Sequence, residues 1–157
     1  MTFITIGQYF NKLQIVFLLL LIVPLLAFIA LYFVSGENTQ DVRMEYYVII
    51  PSLALLEWSL AMIMFNKKIK SVRNEQGLGA KLDKYFRLTI VRWTFVASAG
   101  LMLAIGYFLT GSDVFTGLYL LSLVTSFFLW PTGPAVAAHL MLRGDEKEMV
   151  YFKKDKF

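Results

Sequence analysis

The feature that most constrains this fold is an apolar run near the start of the chain, Leu13–Val34. It contains 22 residues and no Asp, Glu, Lys or Arg. A helix of that length extends about 33 Å at 1.5 Å per residue, enough to cross a hydrocarbon core about 30 Å thick. The run is longer than the apolar part of a signal peptide, and no small-residue cleavage motif follows it. We therefore interpret it as a retained transmembrane helix.

Three more apolar segments predict a multi-pass membrane protein. They cover residues 46–65, 88–109 and 114–130. The chain is 58% hydrophobic and only 17% charged, which leaves too few polar residues to cover a soluble domain of this size. The connections are short, so the predicted fold is a single all-α domain, residues 1–157, forming an integral membrane four-helix bundle.

The distribution of Lys and Arg predicts the orientation of that bundle. The segment 66–87, here called the basic hairpin, joins the second and third spans and carries seven of these residues. The tail 143–157 carries five, and the loop 110–113 carries none. The positive-inside rule then places the basic hairpin and both termini in the cytoplasm. Residues 135–142 are apolar enough either to complete a crossing or to lie on the membrane surface.

The basic residues also predict the partners of the cytoplasmic face. The net charge is +4, but the positive residues lie beside apolar spans, where they set topology and meet lipid headgroups. We expect membrane lipids as partners, with anionic headgroups on the cytoplasmic side, and no nucleic acid. The residues predicted to contact headgroups are Lys67, Lys68, Lys70, Arg73, Lys81, Lys84 and Arg87.

Two ionisable residues lie inside the apolar segments and are the most informative polar positions. Glu57 lies eight residues before the end of the second span, about 12 Å deep along the helix, and Arg92 lies about 7 Å deep in the third. A charge at such depth costs roughly 2.5–3.5 kcal/mol on insertion scales, so each should face the bundle interior. Because the basic hairpin makes the two spans neighbours, we predict a buried charge pair.

The pattern allows three interpretations of these two residues. The first is a structural ion pair that fixes the register of the helices. The second is a proton or ion relay, or a contact to a substrate. In the third, the two side chains form no direct pair, because side chains tilt toward the N-terminus of their own helix and the two therefore lean differently. Water then bridges them, or Arg92 extends to the headgroups instead.

Small residues on one face of the third span predict close helix packing. Ala97, Gly100 and Ala104 are spaced by three and four residues, the pattern that lets two membrane helices approach. The face serves packing within the bundle or, alternatively, dimerisation.

Cofactor and catalytic sites find little support in the composition. The chain has no Cys and a single histidine, His139, which is too few soft or imidazole ligands for a transition-metal or haem site within one copy. We interpret His139 as an interfacial residue and expect no metal and no cofactor. No nucleophile is accompanied by a base, so we expect no catalytic residue and no enzyme.

Three stretches of the C-terminal half resemble a family of small four-helix bacterial inner-membrane proteins whose role is uncharacterised. The stretches are KLDKYFRLTIVRW at 81–93, YFLTG at 107–111 and FLWPTGPAVAAHL at 128–140. The family shares a Tyr and an Arg before an aromatic residue on the third span and a Pro-Thr that closes the fourth. The matching positions are Tyr85, Arg92, Trp93, Pro131 and Thr132. The resemblance implies the architecture and a bacterial inner-membrane location, and it implies no activity.

These observations favour a non-enzymatic integral inner-membrane protein. It is expected to be an accessory or assembly subunit of a larger membrane complex, with a membrane protein as partner, or a homo-oligomer that self-associates. The alternative is a small transporter or channel that moves a proton or a small solute past Glu57 and Arg92. A membrane-embedded enzyme acting on lipid would need a polar pocket that opens to the cytoplasmic leaflet.

Overall fold

A computed structural model describes residues 5–34 and 43–154 of the chain. Within these ranges it contains six helices and no strand, which confirms the all-helical prediction. Three of the helices are long and apolar enough to cross a membrane, so the chain has the features of a membrane protein. The last three residues of the predicted tail, 155–157, lie outside the described ranges. The helices are α1 Ile6–Val34, α2 Tyr46–Arg73, α3 Leu78–Thr110, α4 Asp113–Phe127, α5 Gly133–Leu140 and α6 Gly144–Phe152.

The basic hairpin is mostly helical. α2 continues to Arg73 and α3 begins at Leu78, so the turn between them occupies only residues 74–77. Gly77 adopts a positive φ of 84° there, a conformation that glycine reaches without steric cost. Both helices therefore extend beyond their apolar segments. We call the end of the molecule that holds this turn the basic end.

The fourth helix is shorter than predicted. The apolar pattern predicts a span over 114–130, whereas α4 ends at Phe127 and has 15 residues. Its length of about 22 Å falls short of a hydrocarbon core of about 30 Å. The physical reason is Pro131, which disfavours helical geometry in the residue before it. α5 starts afresh at Gly133, where the Thr132 side chain accepts a hydrogen bond from the backbone N–H of Ala135.

α3 lies at the centre of the fold and packs against α1, α2 and α4. A Cβ on Gly106 would collide with the ring of Phe115, so glycine lets α4 approach closely there. The buried side chains form one apolar cluster at the basic end, around Tyr85 and Leu13, and a second toward the opposite end, around Phe28 and Tyr119.

α5 and α6 fold back onto the basic end. Val136 and Val150 are fully buried in its apolar cluster, and Lys81 of α3 forms a 2.8 Å ion pair with Glu146 of α6. Gly133 leaves room for the α6 backbone, since an added Cβ would lie 2.6 Å from the Val150 carbonyl oxygen. The described part of the basic tail therefore contributes to the core through Val150 of α6. This docking carries His139 to the side of α3.

Candidate functional site

Arg92 is the most unusual side chain of the basic end. It is 5% exposed, and its Cζ atom lies 4.0 Å from the centroid of the Phe65 ring on α2. A guanidinium keeps its charge in proteins and attracts the face of an aromatic ring, but that attraction contributes only about 0.5–2 kcal/mol. The ring alone therefore does not offset the cost of a charge inside an apolar helix.

A cavity of about 90 Å³ lies beside the guanidinium. A single water needs only about 10–15 Å³ by a comparable measure, so the space admits a small group of atoms. α3, the bend after α4, and α5 all contribute to its wall. The lining residues are Tyr85, Arg92, Trp93, Phe128, Leu129, Trp130, Pro131, Ala135 and His139, and we call this site the arginine pocket.

Two residues of the arginine pocket have a buried hydrogen-bond donor without a partner in the described structure. These donors are Nε of Arg92 and Nε1 of Trp93, which are buried and have no hydrogen-bond partner among the described residues. Both groups can only donate. None of the lining residues, all of which lie in the described part of the chain, is acidic. An anion is the ligand that satisfies these donors, because charge-assisted hydrogen bonds to a guanidinium are the strongest available to it.

His139 completes the polar wall of the pocket from α5. Its Nδ1 lies 2.8 Å from the Tyr85 hydroxyl, so one group donates a hydrogen bond to the other. Its backbone carbonyl accepts a 2.7 Å hydrogen bond from Nε of Arg73 on α2. That bond satisfies a carbonyl in the last turn of α5, which has no helical partner. Three helices thus hold the imidazole in place.

The electrostatics around His139 also favour an anion. Burial lowers the pKa of His139, and the positive charges of Arg92 and Arg73 lower it further. The lowered pKa favours the neutral imidazole in the free protein. A bound anion would offset part of the positive charge beside it.

Glu57 and Arg92 lie at different levels of the fold and form no ion pair in the described structure. Oε1 of Glu57 accepts a 3.2 Å hydrogen bond from the hydroxyl of Ser98, whereas Arg92 lies against Phe65. Ser98 follows Arg92 by six residues on α3, or about 9 Å along the axis. The two side chains therefore do not pair directly in the described residues, and opposite leans of the two side chains explain the separation.

The predicted headgroup contacts divide into two groups. Exposed on α2 are Lys67, Lys68 and Lys70. The other four contact the protein itself: Arg73 binds the His139 carbonyl, Lys81 pairs with Glu146, Lys84 pairs with Glu75, and Arg87 lies 3.1 Å from Asp83. Of these, Lys84 and Arg87 are still exposed.

The small-residue face of α3 lies against neighbouring helices of the same chain. A Cβ placed on Gly100 would contact Pro24 of α1 at 3.4 Å and Tyr119 of α4 at 3.6 Å. Ala104 is fully buried in the cluster around Phe28, and Ala97 lines a small cavity between α1, α3 and α4.

The sequence interpretation did not bring Tyr85 and His139 into the site. The two prolines at 131 and 134, three residues apart around a Thr cap, indicate that the fourth helix ends and that a new helix starts. Only the docked position of α5 shows that this helix returns to Arg92. The described residues contain no group of three His, Asp or Glu side chains placed to hold a metal ion.

Comparisons with protein-family models, with curated proteins and with solved structures found no match to this chain. The resemblance to small four-helix inner-membrane proteins therefore stays a prediction.

Proposed function

We propose that this chain is a non-enzymatic integral protein of the bacterial inner membrane that binds an anionic group, a phosphate or a carboxylate, in the arginine pocket. The observation that carries the proposal is the buried guanidinium of Arg92, which faces a cavity with no acidic lining residue. Ionisable residues within membrane segments are paired or functional as a rule, because an isolated charge there is costly. A ligand that supplies the missing negative charge removes this cost.

The proposal places the arginine pocket at the cytoplasmic side. The basic end carries the α2–α3 turn and α6, and both lie in the Lys- and Arg-rich parts of the sequence. Four crossings then keep the two termini on the same side, with α4 and the bend after it forming the fourth. Because the 15 residues of α4 fall short of the full hydrocarbon thickness, the bilayer thins locally around them.

The wider role proposed is that of an accessory or assembly subunit, or of a self-associating protein. The support is the apolar surface that α2 and α4 present away from α3. Leu55 is 68% exposed and Leu121 is 62% exposed, so lipid or another protein covers them in the membrane. Transport past Glu57 and Arg92 gains no support from the described residues, because the two charges lie at different levels.

The anion site is tested by titrating the purified protein with glycerol 3-phosphate in the uncharged detergent dodecyl maltoside. Two of the three tryptophans, Trp93 and Trp130, line the arginine pocket, so intrinsic fluorescence reports on binding. We expect a saturable change that sodium chloride at equal ionic strength does not produce. Arg92→Gln should weaken binding at least about tenfold, the effect of losing a hydrogen bond to a charged group.

Arg87→Gln is the matched control for loss of a positive charge. Arg87 lies on the same helix five residues before Arg92, is exposed, and pairs with Asp83 at 3.1 Å. We expect its affinity to stay within about twofold of wild type, since an exposed charge contributes little. Equal losses in the two variants, or no saturable binding by wild type, would contradict the proposed site.

The orientation is tested by labelling single cysteines, which is straightforward because the chain has none of its own. Ser71 lies exposed at the basic end and Asp113 lies exposed at the opposite end. In intact cells a membrane-impermeant maleimide should label Asp113→Cys, and it should label Ser71→Cys only after the membrane is opened. The reverse pattern would place the arginine pocket outside the cytoplasm.

Association is tested by mass measurement after extraction in mild detergent. A co-purifying membrane protein or a defined oligomer is the expected result. A monodisperse monomer would contradict the accessory and self-associating roles, although the anion site would still be open to the titration above.

A further inference from the structure

A second cavity lies between α2 and α4, and none of its lining residues is charged. Its volume is about 580 Å³, within the roughly 300–1,000 Å³ of small-molecule sites. α3 forms its floor through Leu103, and exposed side chains such as Leu55 and Leu121 form its rims. We call this cavity the α2/α4 groove. Its open rims face the position of the surrounding lipid.

The length of the α2/α4 groove matches a hydrocarbon chain within one leaflet. On α2 it extends from Pro51 to Ile63, which is about 18 Å at 1.5 Å per residue. This length is close to one leaflet, about 15 Å of the hydrocarbon core.

The α2/α4 groove ends within one helical turn of the arginine pocket. On α2, Met62 lines the groove, and the ring of Phe65 three residues later supports the Arg92 guanidinium. On α4, Thr125 lines the groove, and Phe128 three residues later lines the arginine pocket.

α3 connects the same two sites. Leu103 follows Arg92 by 11 residues, which is about three full turns, so both side chains lie on one face of the helix. All three helices thus present the apolar groove and the arginine pocket in the same order along the bundle.

We infer that the anion bound in the arginine pocket is the headgroup of a membrane lipid whose acyl chain lies in the α2/α4 groove. The inference rests on the proposed anion site and adds the nature of the ligand. A phosphate or carboxylate at the end of a hydrocarbon chain satisfies both cavities at once, with the charge near the membrane surface and the chain within one leaflet. A soluble anion would use the arginine pocket alone.

The test compares two probes that share a phosphate monoester headgroup, glycerol 3-phosphate and 1-oleoyl lysophosphatidate. Two variants are compared with wild type. Ser59→Phe places a ring in the groove from an exposed lining position, and Leu60→Phe places the same ring on the next residue of α2, which does not line the groove. Partitioning of the lysolipid into the detergent micelle is the same for every variant, so differences between variants report on the protein.

The expected result is selective loss in the groove variant. Ser59→Phe should weaken lysophosphatidate binding at least about tenfold relative to Leu60→Phe, because it fills space that a buried chain would occupy. Both variants should bind glycerol 3-phosphate like wild type, which also shows that they are folded. Arg92→Gln should weaken both probes.

Other results separate the two proposals. If Arg92→Gln weakens both probes and Ser59→Phe weakens neither, the anion site stands and the lipid inference fails. If Arg92→Gln leaves glycerol 3-phosphate binding unchanged, the proposed anion site itself fails. Lysophosphatidate binding that depends on Ser59→Phe but not on Arg92→Gln also overturns the inference, since the chain would then bind without the headgroup.

A second measurement covers the case in which Ser59→Phe does not fold. Native mass spectrometry of wild-type protein released from phosphatidylcholine bilayers containing phosphatidate should show one retained anionic lipid per chain, and Arg92→Gln should lose it. Retention of phosphatidylcholine and phosphatidate in proportion to their abundance would contradict the inference.

Discussion

Glu57 and Arg92 are both ionisable residues inside long apolar helices, but the fold surrounds them differently. Glu57 receives a hydrogen bond from Ser98 of the neighbouring helix, and no cavity described above is lined by it. Arg92 rests on the ring of Phe65 and borders a cavity of about 90 Å³. The carboxyl of Glu57 thus has a hydrogen-bond partner within the bundle, whereas the guanidinium of Arg92 borders the arginine pocket.

The difference indicates which of the two positions is open to a ligand. A hydroxyl and a carboxyl at 3.2 Å form an interhelical hydrogen bond of the kind that links membrane helices. A buried donor without a hydrogen-bond partner destabilises the fold by about 1–3 kcal/mol or more, because it has lost its water and gained no acceptor. On this account Glu57 contributes to helix packing and Arg92 contributes to binding.

Arg92→Lys is expected to have the largest effect on anion affinity and therefore tests the contrast between Arg92 and Glu57 most strongly. The lysine keeps the positive charge but loses the planar fork that binds two oxygens of a phosphate or carboxylate at once. We expect affinity for glycerol 3-phosphate to fall about tenfold or more in the fluorescence titration. Wild-type affinity in Arg92→Lys would mean that only net charge matters at the pocket, and Glu57→Gln, expected to bind like wild type, is the control.

A smaller effect on stability is expected from Ser98→Ala. The substitution removes the hydrogen bond to Oε1 of Glu57, whose Oε2 already has no hydrogen-bond partner among the described residues. Leaving the carboxyl without a donor should lower the free energy of unfolding by about 1 kcal/mol, measured by denaturant titration in detergent micelles. Anion affinity should not change, and a loss of affinity would show that the two sites are coupled.

The smallest effect concerns pH and His139. Because burial and the charges of Arg92 and Arg73 lower its pKa, the unfolded chain binds more protons below about pH 6.5. The contribution of His139 to the free energy of unfolding should therefore be fully present above about pH 6.5. It should be lost as the pH falls from there through the lowered pKa of the folded state. Over the same interval, protonated His139 adds a positive charge to the pocket wall.

Sulfate is a suitable probe for this pH effect, since its own charge does not change between pH 7.5 and pH 5.5. We expect its affinity to rise a few-fold on acidification, and His139→Asn should remove the rise. Sulfate affinity that is independent of pH in wild type would exclude His139 from the electrostatics of the pocket.

The sequence predicted the long helices well and the neighbours of Arg92 poorly, for physical reasons. An apolar run such as Leu13–Val34 indicates by itself that the helix crosses a membrane, so the three long helices could be recognised without tertiary information. The rotation of α3 about its axis could not be derived in this way. That rotation, together with the lean of the side chains, places Glu57 beside Ser98 and Arg92 beside Phe65.

The position of α5 was equally inaccessible to sequence reasoning. The prolines at 131 and 134 indicate that the helix ends, but the contacts that fold α5 back involve distant residues, such as Arg73 with the His139 carbonyl. Such contacts between residues far apart in sequence carry no periodic signal. The binding pocket is therefore a tertiary feature, although Arg92 itself was recognisable as a buried charge.

The most direct test of the central claim is the free energy of unfolding of Arg92→Met, measured with and without glycerol 3-phosphate. If Arg92 serves binding, replacing it by an apolar side chain should leave stability in anion-free buffer unchanged or higher, as for other buried charges. Glycerol 3-phosphate at 100 times its dissociation constant should stabilise wild type by about 2.7 kcal/mol and Arg92→Met not at all. Strong destabilisation of Arg92→Met without anion, or equal stabilisation of both proteins, would contradict the account.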